Sequence, residues 1–189
     1  MDRTALKAAR TKVDHAFKNI DELASANHYA EVARHWAAFL VNAGRVFTKL
    51  EQASKISAKS PAWWGKKVNE RRRDELLRYV WHARNADEHG IRPVTELHPG
   101  SIREVSSTNE EAEKHRRQMH NQPLPYSPIA LLEIVNPQVI LVSVYDCGVR
   151  FDPPNTFRGA PISSPHPHNV GLLALSYFEE MLKEAEALV

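Results

Sequence analysis

The sequence has a single cysteine, Cys147, which excludes an internal disulfide framework and is typical of a reducing compartment. It has only seven glycines and no repeating period, so a fibrous protein is excluded. No apolar run approaches the roughly 20 residues that a membrane-spanning helix needs. The charged opening Met1–Lys7 does not resemble a secretory signal. We therefore expect a cytoplasmic protein with no membrane partner.

The composition is that of an ordinary globular protein, with 42% hydrophobic and 25% charged residues, and the length of 189 fits a single domain over 1–189. The net charge of +2 hides an asymmetry. Residues 1–90 carry 17 Lys and Arg against 11 Asp and Glu, whereas the remainder carries 8 against 12. A basic half of this kind can attract a polyanion, although ordinary scatter of charges also produces one.

Apolar residues recur every three or four positions through the first 90 residues, which predicts three helical segments. The first spans Leu6–Ala24 and the second Val32–Leu50. The third begins at Ser60-Pro61, a helix start signal, and ends at Gly90, with Gly65 as the candidate break.

The composition changes after residue 90. Residues 91–128 are rich in proline around a charged stretch. Two runs of Ile, Val and Leu follow, Ile129–Val135 and Val139–Tyr145, and they predict a β-hairpin that Val149–Phe151 extends. An amphipathic helix over 169–189 closes the chain.

Together these segments predict a mainly α fold. It is an antiparallel helical bundle with a β-hairpin or small antiparallel sheet inserted before the C-terminal helix. The helical part is 1–90, and the loop and hairpin insertion is 91–168.

The polar end of the third helical segment is the most informative part of the sequence. On a helix, His82, Asn85 and His89 share one face, and Arg84 lies on an adjoining line. Two other Arg–His pairs have similar spacing, Arg10/His15 and Arg92/His98. Only Arg84/His89 combines an Asn after the Arg, a late position on a long helix and a neighbouring apolar stripe.

The segment Arg84-Asn85-Ala86-Asp87-Glu88-His89 resembles the signature of the HEPN superfamily, an Arg and a polar residue followed by a His. The resemblance implies a helical bundle and a metal-independent endoribonuclease without a cofactor. It also implies a homodimer in which two copies of the motif face each other across a cleft. Arg84 corresponds to the motif arginine, Asn85 to its polar follower and His89 to the motif histidine. Such nucleases often act as toxins or in phage defence, with an antitoxin or regulatory protein as partner.

These residue types suit that chemistry. Metal-free RNA cleavage needs a base for the 2′-hydroxyl proton, an acid for the leaving 5′-oxygen and a cation for the phosphate. Imidazole serves proton transfer near neutral pH, and a planar guanidinium can bind two phosphate oxygens. Asn85 is predicted to orient His89 or to bind phosphate. Because one histidine does not easily act as both acid and base, a second copy or His82 would supply the other group.

Basic residues precede the motif and are candidates for contact with an RNA backbone. They are Lys66, Lys67, Arg71, Arg72 and Arg73. The alternative interpretation is an ordinary solvated helix face. Trp63 and Trp64 could stack on bases, but anchoring in the bundle is the more common role of such residues.

Other functions remain open from the sequence. The histidines His166, His168, His98, His115 and His120 could form a metal site in a metal-dependent hydrolase, although their spacing has no ligand pattern. Cys147 could be a nucleophile, but a buried strand cysteine is more common. The main alternative to a nuclease is a non-catalytic helical module that binds RNA or protein.

Overall fold

The computed structural model describes residues 1–56, 60–90, 92–105 and 131–189. These residues form five helices: α1 Arg3–Ser25, α2 Tyr29–Ser54, α3 Ser60–Arg73, α4 Glu75–His89 and α5 Pro167–Glu186. They also form eight short strands: β1 Thr95–His98, β2 Ser101–Val105, β3 Leu131–Val135, β4 Gln138–Leu141, β5 Val144–Asp146, β6 Val149–Phe151, β7 Thr156–Phe157 and β8 Ala160–Pro161. The prediction of a mainly α protein with small antiparallel sheets before the closing helix is confirmed.

The chain divides into two compact units. The first comprises Met1–Glu96 and Val139–Val189 and contains all five helices, and the second comprises Leu97–Gln138. The candidate site residues of α4 belong to the first unit. In the described part of the chain, no helix combines the length and the apolar character needed to cross a membrane.

Helices α1 and α2 form an antiparallel pair joined by a three-residue connection. Asp2 caps α1 by accepting a hydrogen bond from the Ala5 amide at 3.0 Å, and its own amide donates to the Ala53 carbonyl at the far end of α2. Most of the apolar stripe of α1, including Val13 and Ala16, is buried, whereas Phe17 is 45% exposed. The periodicity of the sequence therefore gives the inner face of this helix correctly.

Helix α5 closes the core beside α1. The N-terminal ammonium of Met1 donates to the Leu188 carbonyl at 3.1 Å, so the two ends of the described chain meet. Inside, the aromatic rings interlock: Trp36 stacks on Phe39 with centroids 5.0 Å apart, and Phe47 meets Phe178 edge-on at 5.5 Å. Phe47 also meets Trp81 of α4 edge-on at 5.8 Å, so the same core packs α4 against α2 and α5.

The break in the third helical segment lies at Asp74, not near Gly65 as expected. Helix α3 continues through Gly65, whose surroundings are open. Asp74 takes extended backbone angles and its Oδ1 accepts from the Leu77 amide at 2.9 Å, which makes it the N-cap of α4. A carboxylate that satisfies a free amide of a new helix determines the boundary more strongly than a solvent-exposed glycine does.

The strand-like runs around Asn136–Gln138 are strands, but they do not pair with each other. Strand β3 pairs antiparallel with β2, with Ile102 opposite Ile134, and β4 pairs with β1. The connection disfavours a hairpin: the type I′ turn needs positive φ at both positions, which Pro137 cannot adopt, and the type II′ turn favours glycine at the first position, where the chain has Asn136. The expected hairpin between these two runs is therefore wrong in its pairing.

A true hairpin follows, between β5 and β6. Cys147 and Gly148 form its turn with φ values of 49° and 77°, the left-handed pair typical of type I′ turns. Tyr79 of α4 donates from its hydroxyl to the Val142 carbonyl at 2.8 Å, just before β5. The hairpin is thus anchored beside α4, and its strand β5 packs against that helix.

Candidate functional site

The C-terminal half of α4 and the β5–β6 hairpin form the candidate site. Phe151 of β6 stacks on the imidazole of His82, with ring centroids 3.6 Å apart and planes within 8° of each other. Phe151 is itself partly buried against the core. The hairpin therefore fixes the plane of the His82 ring.

Asp146, the last residue of β5, connects the side chains of His82 and Asn85, which were predicted to share one face of α4. Its Oδ2 lies 2.7 Å from His82 Nδ1 and accepts from Asn85 Nδ2 at 2.7 Å. These bonds, first that of Asn85 and then that of His82, hold the pKa of the Asp146 carboxyl below its usual value. An ionised Asp146 favours a proton on Nδ1 of His82.

The Arg84 side chain is bonded to residues of its own helix and packs against Gly44 of α2. Its Nη1 donates to Asn85 Oδ1 at 3.1 Å, and its Nη2 lies 2.6 Å from Glu88 Oε2. Its Nε is buried and has no hydrogen-bond partner among the described residues. The Arg84 side chain passes next to Gly44 of α2, where an added Cβ would lie 3.1 Å from Nε. Gly44 thus provides the space through which Arg84 passes.

His89 lies at the end of α4 and is the most exposed group of the site, with 77% of its side chain accessible. Its Nε2 is 4.0 Å from Glu88 Oε2, the oxygen that also pairs with Arg84. The predicted common face is therefore divided: His82 and Asn85 share Asp146, whereas His89 connects to the group only through Glu88. Nearby, burial and then the neighbouring Glu88 charge raise the pKa of the Asp87 carboxyl.

A cavity of about 360 Å³ opens beside His89, where α4 ends and β5 begins. His89, Arg92 and Tyr145 are among its lining residues. It adjoins the exposed imidazole rather than the His82–Asp146 pair. A molecule held in it would therefore contact the last turn of α4.

The five predicted RNA-contacting basic residues have different surroundings. Lys67 is buried, and its Nζ pairs with Glu70 at 3.0 Å and Glu184 at 2.9 Å. The Arg71 guanidinium lies over the ring of Trp81 at 3.6 Å, and burial lowers its pKa. The other three, Lys66, Arg72 and Arg73, are exposed. A role in RNA contact stays a prediction, with these three as the accessible members.

Both neighbouring tryptophans are partly buried and pack against the core. Trp63 donates from Nε1 to Glu184 at 2.8 Å, and Trp64 lies 6.4 Å from the ring of Phe47. These contacts favour the anchoring interpretation over stacking on bases.

The alternative chemistries gain little from the geometry. His166 caps α5 by accepting from the His168 amide at 3.2 Å, while His98 is exposed in β1 and His115 and His120 lie outside the described residues. Across the ranges that the structure describes, no three His, Cys, Asp or Glu side chains form a group able to hold a metal.

Cys147 is not the buried strand residue expected from the sequence but an exposed turn residue. Its thiol donates to Asp146 Oδ1 at 3.4 Å, and this carboxylate raises the pKa of the thiol. A raised pKa reduces the thiolate fraction, which disfavours the nucleophile interpretation.

Sequence reasoning did not find Asp146 or Gly44 as parts of the site, and it placed Glu88 in the polar group without pairing it with Arg84. Glu88 had a usable signal, since it stands four positions after Arg84 on the same helix. Asp146 and Gly44 had none, because they come from a strand and from another helix. No family model, curated protein or solved structure matches the chain.

Proposed function

We propose that this protein is a metal-independent endoribonuclease of the HEPN type that acts as a homodimer on RNA. One observation carries the proposal: the Arg84 guanidinium pairs with a Glu88 oxygen at 2.6 Å, and the exposed His89 imidazole lies 4.0 Å from that same oxygen. Asn85 is bonded to Arg84. A phosphate-binding cation and a proton-transfer group thus lie together at an accessible helix end. The six-residue resemblance from Arg84 to His89 supplies the reaction class.

The reaction begins when the 2′-oxygen of a ribose attacks the adjacent phosphorus. A base removes the 2′-hydroxyl proton, the bond from phosphorus to the 5′-oxygen breaks, and an acid protonates that oxygen. The products are a 2′,3′-cyclic phosphate and a 5′-hydroxyl. Arg84 binds the charged phosphate through its fork, and this requires the phosphate to take the place of the Glu88 carboxylate.

The two proton transfers call for two groups. His89 serves as one, because it is exposed and adjoins the cavity. The second comes from His89 of the other copy or from His82, whose ring is oriented by Asp146 and Phe151. Asn85 keeps the Arg84 guanidinium in place through its side-chain oxygen and the Asp146 carboxylate through its nitrogen.

The test is incubation of single-stranded RNA with the protein in excess EDTA. We expect cleavage by the wild type and a loss of at least about 100-fold in Arg84→Ala and His89→Ala, the scale of one acid–base or oxyanion contact. His15→Ala is the matched control, because His15 follows Arg10 by the same spacing but is exposed on α1. Cleavage that EDTA abolishes, or that survives both substitutions, contradicts the proposal.

A second candidate is a non-catalytic helical module that binds RNA or protein. It is favoured by the 2.6 Å ion pair between Arg84 and Glu88, which already neutralises the cation that a phosphate would need. Under this candidate the wild type binds RNA without cutting it, or leaves RNA unaffected.

A cytoplasmic location, a role as a toxin or in phage defence, and an antitoxin or regulatory protein as partner belong to the first proposal. The location is inferred from the single cysteine and the composition, whereas the role and the partner depend on the resemblance alone. The toxin role and the partner would be supported if cells tolerate the wild-type protein only when a candidate antitoxin is co-expressed, but tolerate His89→Ala without it.

A further inference from the structure

The cavity beside His89 has the surfaces of a site for one flat aromatic ligand. Its inner wall is apolar, and two of its residues, Ala86 and Val144, are buried in the core. Its rim carries the polar and aromatic groups. The lining residues that carry the argument below are Val144 of the wall and His89, Arg92 and Tyr145 of the rim.

Tyr145 supplies a stacking surface. Its side chain is 52% exposed although it belongs to β5, whose neighbour Val144 is only 3% exposed. The register of the hairpin places Tyr145 opposite Arg150, whose side chain interacts with the Tyr145 hydroxyl. An aromatic ring that is half exposed on a paired strand offers a base a surface on which to stack.

Arg92 adds a planar cation to the same rim. Its guanidinium carbon lies 5.9 Å from the centroid of the Tyr145 ring, at the edge of cation–π distance. Among the described residues that line the cavity there is no carboxylate, whereas His89 and Arg92 can both bind a phosphate. The Glu88 carboxylate lies 4.0 Å from His89 Nε2 and is paired with Arg84.

The size of the cavity fits one base better than a helix of paired bases. A volume of about 360 Å³ is near the lower end of the roughly 300–1,000 Å³ typical of small-ligand sites. Single-stranded RNA can turn an unstacked base into such a site, where an aromatic or guanidinium plane covers it.

We infer that this cavity binds the nucleobase of single-stranded RNA that neighbours the phosphate at Arg84 and His89, with the base stacked on Tyr145. The inference rests on the proposed function, since it places the RNA substrate beside the same motif. It assigns Tyr145 and Arg92 a binding role that the Arg84–His89 pattern does not contain.

The experiment measures binding without cleavage. A fluorescein-labelled RNA oligonucleotide with 2′-O-methyl groups throughout has no 2′-hydroxyl to attack, so fluorescence anisotropy gives its affinity for the wild-type protein. We expect Tyr145→Ala to weaken binding by roughly 5- to 150-fold, the range for loss of one stacked base. Tyr145→Phe retains the ring and should bind within about twofold of the wild type.

Val149→Ala is the matched control, because Val149 is 55% exposed on the same hairpin and does not line the cavity. Its affinity should equal that of the wild type. A series of oligonucleotides with one abasic position each adds a second readout: at one position, base removal should weaken wild-type binding and leave Tyr145→Ala unchanged. Circular dichroism confirms that every variant is folded.

Three results would overturn the inference. They are no binding of the oligonucleotide by the wild type, equal affinity of Tyr145→Ala and wild type, and an abasic series in which no position depends on Tyr145. Cleavage of unmodified RNA is scored separately. If the wild type binds through Tyr145 but never cuts RNA, the proposed nuclease activity is wrong and the base site is supported. If the wild type cuts RNA but Tyr145→Ala binds as tightly as the wild type, the base site is wrong and the nuclease activity is supported.

Discussion

Arg84 reaches the site because residue 44 on the facing helix has no side chain. The stem of Arg84 passes within contact distance of where a Cβ would stand, and its far end is tied to Asn85 and Glu88. The arginine therefore cannot move away from a new methyl group without loosening one of those bonds. At the scale of single residues, the position of the Arg84 guanidinium depends on the lack of a side chain at Gly44.

Gly44→Ala tests that dependence. The added Cβ would lie 3.1 Å from Arg84 Nε and 3.3 Å from Cδ, so we expect the guanidinium to shift and RNA cleavage to fall by about tenfold or more. Gly65→Ala is the control, since Gly65 is helical with nothing within 4 Å of the new methyl. It should keep full activity and raise the free energy of unfolding by about 0.5–1 kcal/mol. Unaltered cleavage in Gly44→Ala would show that Arg84 does not need this seat.

Asp146 makes a pH-dependent contribution to stability. Its pKa is lower in the folded protein than in the unfolded chain, because Asn85 and His82 donate to the ionised form. Its stabilisation is therefore fully present above the unfolded pKa near 4 and is lost as the pH falls through the folded pKa.

We expect Asp146→Asn to lower the free energy of unfolding at pH 7 by about 1–3 kcal/mol, the value of hydrogen bonds to a charged group. Urea titrations at pH 7 and near pH 3 measure it, and the difference from wild type should shrink at the lower pH. Asp14→Asn, an exposed carboxyl on α1, should stay within about 0.5 kcal/mol of the wild type. A difference that grows as the pH falls would contradict a lowered pKa of Asp146 in the folded protein.

At the scale of elements, the long helices follow from periodicity, while their interruptions depend on single side chains. The apolar stripes of α1, α2 and α5 are strong enough to be read locally. The interruption between α3 and α4 is not, because an exposed glycine such as Gly65 costs only about 1 kcal/mol and a helix can absorb it. Asp74 sets the boundary by capping, and its signal was hidden in a charged run.

Replacing this cap should weaken the helix that carries the motif. Asp74→Ala removes the acceptor for the Leu77 amide and for the Arg158 amide at 2.7 Å, and we expect a loss of about 0.5–2 kcal/mol in thermal or urea unfolding. Asp74→Asn keeps one acceptor oxygen and should recover part of that loss. If Ala and Asn lower stability equally, capping is not what Asp74 contributes.

Strand pairing is the element-level feature that local pattern could not give. The runs beside Pro137 have the composition of strands, and they are strands, but each pairs with a segment that lies well before it in the sequence. Which strand pairs with which is decided by turn geometry and long-range packing, so a local reading predicts the strands and not their partners.

At the scale of the whole molecule, the first and last helices are packed together by a glycine. A Cβ on Gly171 of α5 would lie 2.2 Å from Cδ1 of Ile20 on α1, and 3.7 Å from the ring of Trp36 on α2. All of these surroundings are buried. The closing helix can approach α1 only because this position lacks a side chain.

A double-mutant cycle measures this contact. Gly171→Ala should cost about 1–3 kcal/mol through overpacking, and Ile20→Val about 0.5–1.5 kcal/mol through loss of a buried methylene. Because valine lacks the Cδ1 atom that the new methyl meets, the double variant should be more stable than the sum of the two losses, by about 0.5 kcal/mol or more. If the stability losses of the two single variants simply add in the double variant, the new methyl group at position 171 does not meet the Ile20 side chain.

The candidate site was only partly predictable, for a reason that belongs to the whole fold. Arg84, Asn85 and His89 share one helical segment, so their proximity follows from helix geometry. Asp146 arrives from a strand that comes much later in the chain, and the cavity beside His89 joins the end of α4 to Tyr145 of β5. Such contacts exist only once the helices have packed and the hairpin has docked.

The chemistry of the cleaved ends tests the central claim most directly. An RNA oligonucleotide incubated with the wild-type protein in EDTA is analysed by mass spectrometry. We predict fragments that end in a 2′,3′-cyclic phosphate and begin with a 5′-hydroxyl, and their absence with Arg84→Ala and His89→Ala. Fragments with 3′-hydroxyl and 5′-phosphate ends, or intact RNA with the folded wild type, would contradict the claim that these two side chains cut RNA through the 2′-oxygen.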